Sequence, residues 1–238
     1  MTDRHPLRID VMAERSLPPR STVDLGSWRA HVGDGHVRRI NSVALHGEQP
    51  DAEETTVRLG RIENVYSGAG LRPMIRQTSL DAWIEPHIRF WTATGESVAM
   101  VADPFRGNVG ATHDIEDWVA WIRRLSSDTG RRREAVASVR ALDQHNVVVF
   151  EEVDGQRVGS GRAVSIDGSC GLFDIQVLAD HRRQGLGRRI TRRLMAWAAA
   201  CDSHTVYLQV AAVNMPAREL YESLGFTESY RYRYRRPV

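Results

Sequence analysis

Four arginines and two glycines fall within eight consecutive residues, Arg182-Arg183-Gln184-Gly185-Leu186-Gly187-Arg188-Arg189. Just upstream, Phe173, Ile175 and Val177 alternate with Asp174 and Gln176, which is a strand pattern. Downstream, residues 186–200 repeat with helical spacing. A strand that turns through a glycine-bearing loop into a helix N-terminus makes an anion site. The first helical N–H groups lack intrahelical partners, and the helix dipole favours negative charge there. Gly185 and Gly187 allow a phosphate to approach the backbone closely, and the arginines add charge-assisted donors. The bare Arg-x-x-Gly-x-Gly spacing also suits a tight turn with solvated arginines; the strand before it and the helix after it favour phosphate.

A second segment runs from Asn214 to Phe226, "NMPARELYESLGF". Asn214 suits an N-cap, Pro216 the first turn, and Gly225 a left-handed helix end. Within it Tyr221 is a phenol that could act as a proton donor, or a half-buried helix aromatic. Asp174 lies on that strand with the opposite parity to the apolar residues, so it could face an acceptor channel and accept a proton.

The elements that must position these residues follow from the same patterns. Residues 106–238 predict the order ααβββαβαβ. Two helices follow Asp114. The strands Val147–Val153, Val158–Ser165 and Leu172–Leu178 turn at Asp154-Gly155 and Asp167-Gly168. Then come helix 186–200, strand 205–210, helix 215–224 and strand 226–235. Residues 1–105 predict a smaller α/β half. Met1–Arg20 reads as flexible, Trp28–Ala44 as strands turning at Asp34-Gly35, and Thr55–Ser67 as a helix. Pro73–Thr78 reads as a strand, Asp81–Trp91 as a short helix kinked at Pro86, and Ser97–Ala102 as a strand. The Pro- and Gly-bearing stretch 103–113 is the best hinge. The fold class is thus α/β (α+β), with a mixed, mostly antiparallel sheet flanked by helices.

Composition excludes several classes. Thirty-two Lys and Arg against thirty Asp and Glu give a formal charge of +2, too balanced for a nucleic-acid coat. Cys170 and Cys201 form no disulfide framework, and the nine histidines show no metal spacing, so no metal is expected. The N-terminus lacks the apolar core of a signal peptide, and the apolar run 194–201 is too short to cross a bilayer. These features fit a cytoplasmic protein with no membrane partner. Tyr230, Tyr232 and Tyr234 alternate with Arg231, Arg233 and Arg235. That is a sheet edge with one buried and one solvated face, a wall for an acidic substrate, or less readily a nucleic-acid surface.

Together, "VLADHRRQGLG" and "NMPARELYESLGF" resemble the GNAT superfamily of acetyl-coenzyme A-dependent N-acetyltransferases, over residues 145–238 and the two helices before them. The resemblance implies a GNAT fold and acetyl-coenzyme A as acyl donor. Ile175, Gln176 and Val177 would hold the pantetheine arm through their backbone. Arg182, Arg183, Gln184, Gly185, Leu186, Gly187 and Arg188 would cradle the pyrophosphate, and Asn214 would hydrogen-bond the coenzyme. The strands at 175–177 and 205–210 would splay at a bulge to admit the thioester. Tyr221 would protonate the departing thiolate after direct attack by a small-molecule or peptide amine. Two places where relatives carry a basic Glu hold Gln209 and Gly171, which leaves Asp174 as the candidate base and His181 and Glu219 as weaker ones. A water chain or a neutral amine would need none. Residues 1–105 resemble the degenerate N-terminal copy of bipartite acetyltransferases, or else an accessory cover for the acceptor site; residues 106–238 would be the acetyltransferase domain. A homodimer is compatible with this reading, and a non-catalytic acyl-coenzyme A sensor or partner-binding module is its alternative.

Overall fold

The computed structural model describes residues 5–125, 127–142 and 145–238. Ten strands form one sheet in the order β1-β2-β3-β4-β10-β5-β9-β8-β7-β6. Helix α1 (Pro6–Arg15) precedes β1 (Ser21–Leu25), β2 (Trp28–Val32) and β3 (Val43–Leu45). Then come α2 (Ala52–Gly68), β4 (Ile75–Thr78) and β5 (Thr92–Ala102). The second half holds α3 (Ile115–Leu125), α4 (Thr129–Arg140), β6 (His145–Val153), β7 (Gln156–Ile166) and β8 (Ser169–Val177). It ends with α5 (Leu186–Ala200), β9 (Thr205–Ala211), α6 (Met215–Glu222) and β10 (Thr227–Arg236).

The two halves repeat one pairing scheme. β1–β2 and β2–β3 are antiparallel and β3–β4 is parallel; β6–β7 and β7–β8 are antiparallel and β8–β9 is parallel. Each half then ends in a strand that crosses over. β5 pairs with β9, β10 pairs with β4, and the two lie side by side, antiparallel. Strand β5, which belongs to the first half in sequence, thus pairs with the second half's β9 and β10.

Three expectations are corrected. The segment read as flexible carries α1; residues 1–4 of it lie outside the described residues. Its buried face mixes Ile9, Met12 and Ala13 with Asp10 and Glu14, and these acids dilute the apolar period. Both carboxylates are matched by cations: Asp10 by Arg76, Glu14 by Arg29 and by contact with His31 and His46. Secondly, β2 and β3 do pair antiparallel, but across the longer loop 33–42 that contains Asp34-Gly35 and has residues 38–41 in a 3-10 turn rather than strand, and a further hairpin, β1–β2, turns at Gly26-Ser27. Asn41 holds the loop by accepting from the backbone N–H of Gly33 and Gly35 at 3.0 and 2.9 Å. Thirdly, the helix expected at Asp81–Trp91 is a 3-10 turn, Ala82–His87, around Pro86.

Opposite faces of the sheet carry separate cores. On one, α5 and α6 cover Val98, Met100, Leu172, Val206, Leu208 and Val210. On the other, α1 lies with Ile9 and Met12 against Val101, Tyr207, Tyr230, Tyr232 and Tyr234. Helix α5 sits unusually close to β7 because a side chain at Gly161 has no room. A Cβ there would lie 2.6 Å from Ile190 and 2.9 Å from Leu194.

Candidate functional site

The site begins where β8 and β9 part. Their parallel pairing runs from Ser169↔Thr205 to Leu172↔Leu208 and stops. Beyond Leu172, β8 keeps β7 on one side, through Ser160↔Gln176 and Gly159↔Val177. Its other edge, from Phe173 to Val177, faces the gap with no strand on it among the described residues. Such an edge presents free backbone donors and acceptors, the requirement for an extended ligand to add as a strand.

A bulge makes the gap. The β7–β8 register shifts between Ser160 and Arg162, and Asp174 takes φ +53°. The extra residue also resets the side-chain parity. Phe173 packs on the tyrosine face, whereas Ile175 and Val177 pack under α5. The sequence places all three on one face, because strict alternation cannot anticipate a bulge. Asp174 is turned toward the tyrosine face, where its Oδ2 lies 3.2 Å from the Arg162 Nε.

The chain leaves β8 through a 3-10 turn, Ala179–His181, and enters α5 at Gly185. Gly185 is the N-cap, at φ +77°, and no side chain caps the helix; its first turn contains no acid. The helix start is therefore open to an anion, and open space surrounds the Gly185 Cα. Arg182, Arg183, Gln184 and Arg188 are exposed around it, while Leu186 is buried beneath. Arg182 donates to the Val177 carbonyl at 3.1 Å, and Arg188 to the Ser223 hydroxyl at 2.8 Å, bracing the loop against β8 and α6. Arg189 is drawn off to Glu151 at 2.9 Å. Gly187 brings α5 against α6: a Cβ there would meet Leu220 at 3.3 Å.

Asn214 caps α6, with its Oδ1 accepting from Ala217 N–H at 3.4 Å, and remains exposed. Two helical turns on, Tyr221 packs edge-to-face on Phe226 at 5.9 Å among Leu208 and Val210. Burial pushes its phenol up to about 12, so it stays protonated at neutral pH. The loop follows β8 and Asn214 follows β9; because these strands are parallel, both connections lie at the end of the sheet where β8 and β9 part, and Tyr221 lies within the helix that Asn214 caps.

The front of the gap joins Gln209 and the β10 tyrosines to residues that sequence spacing does not reveal. Gln209 lies one residue past the last β8–β9 pair. Its Nε2 donates to Tyr230 at 3.2 Å and its Oε1 accepts from Tyr232 at 3.4 Å. Tyr230 donates onward to Asp10 at 2.6 Å, and Arg39 donates to the Tyr232 hydroxyl at 3.4 Å. Arg162, 1% exposed, stacks near Phe173 at 5.0 Å and Trp118 at 5.5 Å. These residues come from seven separate elements, so no local pattern could announce that Asp10, Arg39, Trp118 and Arg162 join Gln209 and the β10 tyrosines. The weaker base candidates stand apart from this wall, His181 on the turn after β8 and Glu219 on the exposed side of α6. Across the sheet, the arginines of β10 are largely matched by acids, Arg231 by Glu228 at 2.7 Å and Arg235 by Glu85 at 2.8 Å. Among the described residues no helix is long and apolar enough to cross a membrane.

Residues 112–226 match the acetyltransferase (GNAT) family. The chain is 36% identical over 243 residues to the uncharacterized N-acetyltransferase YobR of Bacillus subtilis (strain 168), covering 96% of this chain and 97% of that protein. A shorter stretch of 58 residues is 45% identical to the [ribosomal protein bS18]-alanine N-acetyltransferase of Escherichia coli (strain K12), 24% of this chain and 39% of that one. In fold, the chain is similar to a GCN5-related N-acetyltransferase from Kribbella flavida, with a TM-score of 0.73 at 16% identity, covering 98% of this chain and 95% of that one. It is also similar to a tandem GNAT protein from the clavulanic acid biosynthesis pathway, with a TM-score of 0.66 at 11% identity, covering 97% and 87%.

Proposed function

The chain belongs to the GNAT family of acetyltransferases, and from that premise we propose that it transfers an acetyl group from acetyl-coenzyme A to a primary amine by direct attack in a ternary complex. The observation that carries this reading is the parting of β8 and β9 at the Asp174 bulge, directly beside an uncapped helix N-terminus. The free edge at Ile175, Gln176 and Val177 suits an amide-bearing pantetheine arm, and the loop from Arg182 to Arg188 suits a pyrophosphate. Asn214 adds an exposed amide at the far lip.

The acceptor amine approaches from the tyrosine face, between Asp174 and Gln209. Asp174, paired with the Arg162 Nε at 3.2 Å, hydrogen-bonds the ammonium and takes the proton the amine must lose. Free N–H groups of the β8 edge stabilise the developing oxyanion. Tyr221, a phenol protonated at neutral pH and buried beside the gap, gives its proton to the departing thiolate. Gln209 cannot act as a base; held between two hydroxyls, it forms part of the wall.

We assign the first half as a degenerate copy. Its pairing scheme repeats that of the second half, and β3 and β4 part after Ala44↔Arg76. A cavity of about 230 Å³ there is lined by Asp10 and Asp81, an unfavourable setting for a polyanion. The segment between β3 and α2 has no arginine loop. This half braces the tyrosine wall instead, through Arg39, Arg76 and α1.

Two measurements test the proposal. Acetyl-coenzyme A should raise Tm progressively, with the logarithm of its concentration above Kd, and replacing Arg182, Arg183 and Arg188 by Ala should weaken that effect. Free-thiol release on a panel of primary amines should follow. Stabilisation without turnover on any amine would favour a coenzyme sensor, and no stabilisation would remove the donor assignment.

A further inference from the structure

Arginines drawn into the interior of this protein usually meet a carboxylate. Arg76 has Asp10, Arg29 has Glu14 and Arg235 has Glu85. Arg39 departs from this rule. It is half-buried over the tyrosine wall, donates to the Tyr232 hydroxyl at 3.4 Å, and has no carboxylate partner among the described residues. Arg162 departs in part. Its Nε is paired with Asp174, but its Nη1 is buried with no hydrogen-bond partner among the described residues. The indole N–H of Trp118, beside it, is equally unpartnered.

These groups are linked by contacts along one face of the sheet. Arg39 reaches Gln209 through Tyr232, Arg162 reaches the gap through Asp174 and Phe173, and Tyr207 meets Phe173 edge-to-face at 6.2 Å. Burial lowers the Arg162 pKa against the pull of Asp174, and the charge of Arg39 lowers it further, so the two guanidiniums repel across this face. Two cations against one anion leave a surplus positive charge in a partly dry wall. Such a surplus is costly unless an anion completes it.

Resting on the acetyltransferase reading, we propose that the acceptor is a zwitterion, an amine that also carries a carboxylate, with the carboxylate taken by Arg39 and the free donor of Arg162 and the ammonium by Asp174. The substrate class is then an amino acid or similar amino-carboxylate rather than a simple alkylamine or polyamine. Tyr232 orients Arg39 as a specificity-determining group.

Matched pairs test this: L-phenylalanine against phenethylamine, and L-lysine against cadaverine, with thiol release read for wild type, Arg39→Gln and Arg39→Lys. Wild type should favour the carboxylated member by about tenfold or more in kcat/KM, the worth of one charge-assisted hydrogen bond. Arg39→Gln should collapse that ratio toward one, and Arg39→Lys should retain part of it. Calorimetric affinity for coenzyme A should match wild type in both variants, which shows that they are folded. A wild-type ratio at or below one, or a ratio that Arg39→Gln leaves unchanged, overturns the zwitterion assignment and spares the acetyltransferase reading. Failure of wild type to acetylate any amine while binding the coenzyme overturns that reading, and this inference with it.

Discussion

Tyr221 and Asp174 face different sides of one gap and have opposite surroundings. Tyr221 lies in an apolar core that favours its neutral form. Removing its hydroxyl with Tyr221→Phe keeps the packing on Phe226 and should lower kcat by about 10²–10⁴-fold, the usual worth of general acid catalysis, with little change in Tm. Thiol release and a melting curve measured together check both halves of that statement. Asp174→Asn should lower activity and also stability, because the Arg162 Nε loses its anion. Asp174 is 41% exposed, so the stability loss should be about 1–3 kcal/mol rather than the full cost of breaking a buried pair. A chemical-denaturation midpoint reads it. At this scale the sequence is legible wherever residue type and local geometry coincide. Gly185 is required by a positive φ, and Asn214 by a helix cap, so both stand out. Arg39 and Arg162 are ordinary in sequence; their significance arises from partners more than a hundred residues away or from partners they lack.

Among the elements, α5 delivers the anion site and β7 sets its height. Gly161→Val would push a side chain into Ile190 and Leu194, where even a Cβ has no room. The helix must move off the sheet, at a cost of about 1–3 kcal/mol, and its N-terminus must move with it. A lower Tm and weaker acetyl-coenzyme A affinity should therefore appear together; a lower Tm with unchanged affinity would mean that α5 is not the binding element. Periodicity predicts α2, α3 to α6 and the β6–β7–β8 meander well, since each has one apolar face and clear turn residues. It fails at α1, whose buried face includes two acids matched across the fold, and at β8, where the bulge reverses the parity after Phe173.

At the scale of the whole molecule, β5 and β10 tie the two halves into one sheet. Strand β10 is hydrogen-bonded between β4 and β5, so deleting residues 227–238 should unfold both halves rather than trim one. Limited proteolysis of the truncated chain should yield no stable core. The same region sets alkaline stability. Burial raises Tyr66, Tyr207 and Tyr230, and holds Tyr221 and Tyr234 near 12, all above the ordinary tyrosine value of about 10. Folding thus binds these protons more tightly than the unfolded chain does. Their contribution is whole below about pH 10 and is lost as pH rises through the folded values, so unfolding should steepen from about pH 10 upward, with phenolate absorbance appearing alongside loss of structure. The exchange of final strands is not legible in sequence, because it depends on which edges meet across the whole chain. The central claim is that the gap between β8 and β9 carries out acetyl transfer. Steady-state release of coenzyme A thiol from acetyl-coenzyme A, with amino-carboxylate acceptors, in wild type and Tyr221→Phe, tests it most directly. Acceptor-dependent release in wild type that falls at least a hundredfold in the variant, with coenzyme binding retained, is the expected result; release that is independent of acceptor, or equal in the two proteins, would contradict it.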